Sequence, residues 1–493
     1  MTRTFLTWAA VWLMTGSLAW GRDGEGEGDV LTLSVEQAVV LAVQHNRALR
    51  VEQLQPSIVG QFERIERASY DPLLLMEVAY GRSAVRTGDD GNIDRASQLL
   101  LDARILQRVP TGTVLELEAQ HERLSPDGEP TEHVARVGLT VTQALLRGAS
   151  VGANLVDIRQ ARLETQISQY ELYGFVESLV AEVEQTYWQL VLLKRQIELV
   201  GHALEVARTQ EDHVERRIAA GALARTELAA ARAEVALREE ALIVAEAAAQ
   251  VERLAFLRLV NPPGGPSWDR PVRLLDEPEP LLKTLDEASA HAALAVQLRA
   301  DLNEAHLRLE QGRLEVRRTR NGLLPRLDLF ASLGQTGHAD TLGRSWREVD
   351  GSRSYDMTVG ARFEQALGNR EARARYEVAR ASRRQAAEAV ANVRQIVELD
   401  VRLAHLEVQR AQEQITATRA TRALREATLR AEQAKFAAGS STVLLVAQAQ
   451  RDLLESQIAE VQAMVEHRQA VIELYRLDGS LLQRRGVNVR MAE

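Results

Sequence analysis

The sequence contains no cysteine, which excludes disulfides, thiol catalysis, zinc–thiolate sites and lipidated cysteine anchors. Aromatic residues make up only 4% of it, few for an ordinary mixed core. A basic block is also missing. Its 60 Lys and Arg against 69 Asp and Glu leave a formal charge of −9, which argues against nucleic acid as a partner. Beyond the first 21 residues there is no uninterrupted apolar run of roughly 18 residues, so no membrane-spanning helix is expected. No nucleotide loop, HExxH helix or nucleophile elbow occurs, and the 10 histidines are scattered. Neither catalysis, a metal nor any other cofactor is expected. What is abundant is Ala, Leu, Arg, Glu and Gln, a mixture that favours long helices. A length of 493 residues would by itself suggest two to four globular domains.

The N-terminus begins with Arg3, continues with the apolar stretch from Phe5 to Met14, and reaches small residues at Ser17, Ala19 and Gly21. That order is the signature of a secretory signal peptide, expected over residues 1–21. An exported chain without an apolar span can re-enter a membrane only as a closed β-barrel.

Internal comparison carries the most information. Asn46-Arg-Ala-Leu49 falls opposite Arg299-Ala-Asp-Leu302, and Pro72 falls opposite Pro325, both at an offset of 253. Val137-Gly-Leu-Thr-Val-Thr-Gln-Ala-Leu145 matches Val359-Gly-Ala-Arg-Phe-Glu-Gln-Ala-Leu367 at an offset of 222. Ala220-Gly221 matches Ala438-Gly439, and Leu257-Arg-Leu259 matches Tyr475-Arg-Leu477, at an offset of 218. Anchors in one order with a slowly drifting offset indicate a duplicated unit whose first copy holds a longer loop region. Copy one is expected over 22–266, copy two over 285–482, with a linker at 267–284 and a tail at 483–493.

Each copy reads as helix, strand region, very long helix, glycine turn and helix. In copy one the first helix starts at Ser34, with Gln37 completing a capping box, and runs to about 67. Strands follow at about 69–145, the long helix at about 148–219 and the last helix at about 223–260. Copy two repeats this with a helix at about 285–318, strands at about 325–367, and helices at about 369–437 and 442–477. A 70-residue helix is roughly 105 Å long. Leu179, Val183, Thr186, Leu190, Leu193, Ile197, Val200, Leu204, Ala207, Glu211, Val214 and Ile218 recur at alternating spacings of four and three. That is a coiled-coil seam, although periodicity alone also fits an ordinary helical bundle.

The strand regions alternate. Met357, Val359, Ala361 and Phe363 interleave with Asp356, Thr358, Gly360 and Arg362, and Leu327 to Leu333 behaves alike. Copy one gives Val137-Leu139-Val141 and Leu74-Met76-Val78-Tyr80. One apolar and one polar face per strand fits a barrel wall with lipid outside and water inside; a half-buried soluble sheet is the alternative. Four such strands cannot close a barrel, which needs roughly eight, whereas a trimer would supply twelve. Two further alternating runs, Leu99 to Ile105 and Thr113 to Ala119, are joined by Val109-Pro-Thr-Gly112. The sequence leaves open whether this hairpin enters the wall or extends a loop. Gly88-Asp-Asp-Gly-Asn-Ile-Asp94 resembles a calcium-loop fragment without its terminal Glu and reads as a solvated loop.

The signal peptide, the duplicated plan and the strand-to-helix junction together resemble the TolC family of outer-membrane efflux proteins, over essentially the whole mature chain. The most specific piece is Thr142-Gln-Ala-Leu-Leu-Arg-Gly148 with Asn154, where the family has a Gln-Pro-Leu element. Here Ala144 and Ala366 replace the proline, so the bends beside Gln143 and Gln365 are expected to rest on Gly148 and Gly368. The second piece is the pair of tips, Ile218-Ala-Ala-Gly-Ala-Leu and Phe436-Ala-Ala-Gly-Ser-Ser. A glycine closing a long helix is also an ordinary C-cap. By resemblance Gly221, Ala222, Leu223, Gly439, Ser440 and Ser441 contact a periplasmic adaptor. The family's best-known member has acidic residues six and nine positions after the second tip glycine, where this chain has Leu445 and Gln448. Its gating tyrosine is Phe436 here, its arginine is Ser441, and the first tip retains Thr226 and Glu227. An acidic constriction and a Tyr–Arg–Asp latch are therefore not carried over. A ring of Leu445 could close the entrance by excluding water.

The resemblance implies a mostly α protein with membrane β. It comprises a long coiled-coil α-helical barrel plus a transmembrane β-barrel shared by a homotrimer, built from two internal repeats. It further implies a passive duct through the outer membrane and periplasm of a Gram-negative bacterium, bathed in outer-membrane lipid. An adaptor would join it to an inner-membrane RND or ABC pump that exports small molecules or polypeptides. Without cysteine, the chain is expected not to be lipidated. The rivals are a periplasmic adaptor and a soluble coiled-coil scaffold. An adaptor usually has one helical hairpin rather than two, and a scaffold leaves the strands without a role.

Overall fold

A computed structural model describes residues 30–87, 92–128, 130–263, 268–278, 285–351 and 354–488. The expected signal peptide, residues 1–21, lies outside them, as do residues 88–91 of the expected Gly88–Asp94 loop, whose last three residues instead open a strand. Copy one comprises β1 (Leu31–Leu33), α1 (Val35–His45), α2 (Arg47–Glu52), α3 (Gln55–Arg67), β2 (Leu73–Thr87), β3 (Asn92–Arg108), β4 (Thr113–Pro126), β5 (Glu132–Ala144), α4 (Val151–Asn154), α5 (Val156–Ala219) and α6 (Thr226–Val260). After β6 (Val272–Leu274), copy two comprises α7 (Ala288–Leu298), α8 (Ala300–Gly322), β7 (Arg326–Ala339), α9 (Leu342–Gly351), β8 (Tyr355–Glu364), α10 (Arg370–Ala437), α11 (Val443–Leu477) and α12 (Leu481–Arg484).

The long helices α5 and α10 have 64 and 68 residues, roughly 96 and 102 Å. No helix among the described residues is long and apolar enough to cross a membrane. The α5 seam behaves as the spacing requires: Leu179, Val183, Leu190, Val200, Leu204, Ala207 and Val214 are buried, and the intervening seam positions are half-buried. Two shorter helices expected to be continuous are instead broken. Asn46 and Arg299, at equivalent places in the two copies, share an extended ψ of 128° and 127°. Asn46 stabilises its break by accepting from the Leu49 amide at 3.0 Å and donating to the Leu259 carbonyl at 2.9 Å. This bends the first helix of the copy around the end of α6. A further interruption at Gln53-Leu54 separates α2 from α3.

The undecided hairpin is part of the sheet. One antiparallel sheet of six strands runs in the order β2-β3-β4-β5-β7-β8, so the sheet holds six strands rather than the four expected. Facing pairs show that the alternation is in phase across the sheet: Ile105 opposes Leu74 and Leu117, Leu117 opposes Leu139, Leu139 opposes Leu333, and Leu333 opposes Met357. Paired residues of a ladder share a face, so a single apolar face is continuous over all six strands. The part of the expected linker that is described is not loose. Its β6 pairs in parallel with β1, and the start of the expected tail is anchored by Arg485 on Glu184 at 2.5 and 2.6 Å.

The main apolar core lies midway along the rods. There Leu31, Leu33, Val39, Val183, Tyr187, Leu190, Phe256, Leu257, Ile472 and Leu481 pack together. Near the sheet the helices are ordered α3, α5, α8, α10 by their contacts. Thus α3 with β2 forms one side of the chain, and α10 with β8 forms the other.

Candidate functional site

Both tips are built by the same local chemistry. Helix α5 closes on Gly221 at φ 75°, and α10 on Gly439 at φ 77°, a left-handed conformation that glycine adopts without steric cost. The Ala222 amide donates to the Arg217 carbonyl at 2.8 Å, and the Ser440 amide to the Lys435 carbonyl at 2.9 Å. Both satisfy carbonyls that a helix end leaves open. Gly221, Ala222, Gly439 and Ser440 are exposed. Leu223 is half-buried against a small cluster of Val214, Ala231 and Val443. Ser441 is engaged, its hydroxyl donating to Glu432 at 2.9 Å. That bond and the Lys435 ammonium beside it hold the Glu432 carboxyl below the usual range, Lys435 contributing most.

The expected gate residues do not form one group. Phe436 packs on the Val214–Ala231–Val443 cluster, with the Arg217 guanidinium 5.2 Å from its ring centroid. It therefore ties α10 of the second hairpin to α5 of the first. Thr226 is exposed and Glu227 half-buried at the start of α6. Leu445, 46% exposed, and Gln448 lie one turn apart on the open face of α11. Thr442 caps that helix, its hydroxyl accepting from the Leu445 amide at 3.4 Å. The second hairpin is cross-tied above the tip by Arg425–Asp452 at 2.6 Å and by Arg419 and Arg422 on Glu460. Sequence reasoning missed Arg217 and these pairs, because no local spacing links residues on different rods.

The junction between sheet and rods is dense. Gly148 takes φ 90°, and the Asn154 side chain donates to its carbonyl at 2.6 Å and to the Pro110 carbonyl at 2.8 Å. Gln143 donates to the Thr111 carbonyl at 3.1 Å and accepts from the Thr113 hydroxyl at 2.6 Å. In copy two the left-handed residue is Asn369, φ 43°, rather than the expected Gly368. The Asn369 side chain holds this conformation by donating to the Leu323 carbonyl at 3.1 Å. Gln365 donates to the Ala366 carbonyl at 3.1 Å and to no hairpin turn.

Several polar side chains are buried midway along the rods and were not anticipated. Tyr187 donates to Asp276 at 2.6 Å, fixing the segment after β6 to α5; burial, then this carboxylate, pushes the phenol up. His291 lies 2.6 Å from Asp478. Nearby, burial pushes the Glu177 carboxyl up to about 7 against the opposing pull of Arg476.

These features define a class. Paired rods of about 100 Å stand beneath an amphipathic sheet, and both sides of the chain carry exposed apolar side chains. On α3 these are Ile58, Phe62 and Ile65, and on α10 they are Ile396, Leu399, Leu403 and Leu406. The chain matches the Outer membrane efflux protein family over residues 107–261 and 292–480, well over half of its length, and belongs to that family. Its fold is similar to that of the CmeC outer membrane channel of Campylobacter jejuni, at 15% identity over 94% of this chain and 91% of that one, TM-score 0.69. It is likewise similar to the outer membrane protein VceC of Vibrio cholerae, at 18% identity over 90% and 96%, TM-score 0.66. A third similar fold is CusC, at 16% identity over 94% and 95%, TM-score 0.69. No curated protein sequence matches the chain. The fold is that of a helical-barrel channel with a β-barrel portion, and the protein is an outer-membrane efflux channel component, not an enzyme.

Proposed function

We propose that three copies close side to side into a passive duct through the outer membrane and the periplasm. The carrying observation is the pair of unlike sides. β2 and α3 offer an unpaired strand edge with an apolar helix face at one side; at the other, β8 offers an unpaired strand edge, and α10 carries exposed Val378 near the sheet and Ile396, Leu399, Leu403 and Leu406 midway along the rod. Side chains such as Phe62 and Leu403 are exposed in the isolated chain, and burial against a neighbour would stabilise each by about 1.5–3 kcal/mol. Unlike surfaces that meet head to tail generate rings, and a closed wall removes both strand edges. Residues 1–21 direct export, and the barrel, without a lipid anchor, holds the protein in the membrane. Gly221, Ala222, Leu223, Gly439, Ser440 and Ser441 meet a periplasmic adaptor, which couples the duct to an inner-membrane pump. Leu445, with Gln448 a turn above it, lines the periplasmic entrance, and Phe436 with Arg217 holds the hairpins closed. The cargo comprises small molecules or polypeptides driven by the pump. Membrane fractionation followed by single-channel recording tests this. Outer-membrane protein that conducts in planar bilayers is expected; soluble protein, or outer-membrane protein that never conducts, would overturn it.

A further inference from the structure

We propose that β3–β4 is a wall-widening insertion. On closure of the proposed trimer, on which this inference rests, six strands per chain make an eighteen-stranded barrel. At equal strand tilt the membrane section of the duct is then about half as wide again as a twelve-stranded one and admits correspondingly bulkier solutes. Selection by size falls to the periplasmic end.

The hairpin is built as wall. β3 pairs with β2 from Asn92 to Leu106 and with β4 from Ala96 to Arg108, and β4 pairs with β5 from Thr113 to Leu124. Its apolar residues continue the outer face of the flanking strands. Its inward turn is keyed into the strand-to-helix junction: Asn154 holds Pro110, Gln143 holds Thr111, and the Ala144 amide donates to Gly112 at 3.0 Å. The turn sits so close that a Cβ on Gly112 would lie 2.2 Å from the Gly148 carbonyl oxygen. A loop excursion would need none of these.

The polar face makes the same case. Asp102 pairs with Arg104, which reaches Glu118 at 3.4 Å. Arg136 then bridges Glu118 at 2.9 Å and Asp356 at 2.7 Å. This ladder crosses β3, β4, β5 and β8. Arg136 spans β7 because Gly334 leaves room: a Cβ there would meet Asp356 Oδ1 at 2.5 Å and an Arg136 guanidinium nitrogen at 2.7 Å. The two inserted strands supply three of the five charged members.

Widths agree as well. Strands about 4.8 Å apart and tilted about 40° each occupy roughly 6.3 Å of circumference, so six occupy about 38 Å. Four helices side by side at about 9.5 Å occupy about 38 Å too. Four strands at the same tilt would occupy only about 25 Å. Eighteen strands give a backbone diameter of roughly 36 Å against roughly 24 Å for twelve.

The chain has no cysteine, so single-cysteine variants of the full-length protein report on one site each. A fluorophore on Ile105→Cys, Leu117→Cys or Val359→Cys, in vesicles with brominated acyl chains, is expected to be quenched about equally at all three positions. Quenching at Val359→Cys alone would place the hairpin off the wall and overturn the widening while leaving the duct intact. No quenching at any position would overturn the duct reading itself. Independently, deletion of residues 92–126 joins β2 to β5 across the outer end. Polymer-exclusion recordings from the extracellular side should then show a cutoff diameter lower by about one third; an unchanged cutoff would contradict the proposal. Where the deletion fails to assemble, the quenching result decides.

Discussion

The side-chain amide of Asn154, at the head of the long rod, donates to the carbonyl of Pro110, in the turn of the extra hairpin, at 2.8 Å. One residue thus joins rod to wall, since it also holds Gly148 at 2.6 Å while its own carbonyl accepts from the Tyr70 hydroxyl at 2.7 Å. Asn154→Ala removes both donated bonds and leaves two part-buried carbonyls unpaired. A loss of about 1–3 kcal/mol is expected, seen as a lower thermal midpoint of the assembled protein. An unchanged midpoint would show that the junction rests on the backbone alone.

Glycine substitutions separate crowding from backbone preference. Gly221 and Gly112 both have positive φ, 75° and 80°, but a Cβ at Gly221 meets open space while one at Gly112 strikes the Gly148 carbonyl. Gly221→Ala should cost about 1–2 kcal/mol with assembly retained. Gly112→Ala should cost more and impair assembly, as measured by heat resistance of the oligomer on gels. Equal effects would refute the keyed turn.

At the tip, Phe436→Ala removes the ring that Arg217 faces at 5.2 Å and loosens the contact between hairpins. The expected result is a rise in basal single-channel conductance, with Arg217→Ala giving a smaller rise, since an exposed cation–π contact is worth about 0.5–1 kcal/mol. Silent variants would mean that closure resides elsewhere.

Leu445→Ser tests the entrance separately. Replacing an exposed apolar side chain by a hydroxyl wets a hydrophobic constriction, so conductance of the closed state should increase while thermal stability stays within about 0.5 kcal/mol. Unchanged conductance counts against a dewetted gate.

Glu177 gives a pH dependence whose sign is fixed. Its carboxyl loses its proton near 4.5 in the unfolded chain but near 7 when folded, because burial disfavours the charge. Between those values the folded state binds more protons, so stability falls as pH rises through that window, and the penalty is complete above it. It amounts to about 3 kcal/mol per chain. Glu177→Gln should therefore unfold at a higher temperature than the native protein at pH 8 and at about the same temperature near pH 4. A gap independent of pH would disprove the assignment.

The duplicated anchors, the α5 seam and the alternating strands were legible because each depends on residues a few positions apart. The helix break at Asn46 was not, since its side chain is held by Leu259, more than 200 residues away. The hairpin's place in the sheet was equally hidden, because it depends on strand pairing and on Gln143 and Asn154 reaching back to residues 110–113. Gly368 looked like the second bend by analogy with Gly148, yet Asn369 took the left-handed conformation by bonding Leu323. The tips were readable as glycine caps, whereas the Arg217–Phe436 contact joins two rods and leaves no mark on local sequence.

Reconstruction of the purified assembly in a lipid nanodisc tests the central claim most directly. Three chains around one axis, with β8 of each paired to β2 of the next in a closed wall of eighteen strands, are predicted. A monomer, an open sheet, or a wall that excludes β3 and β4 would contradict it.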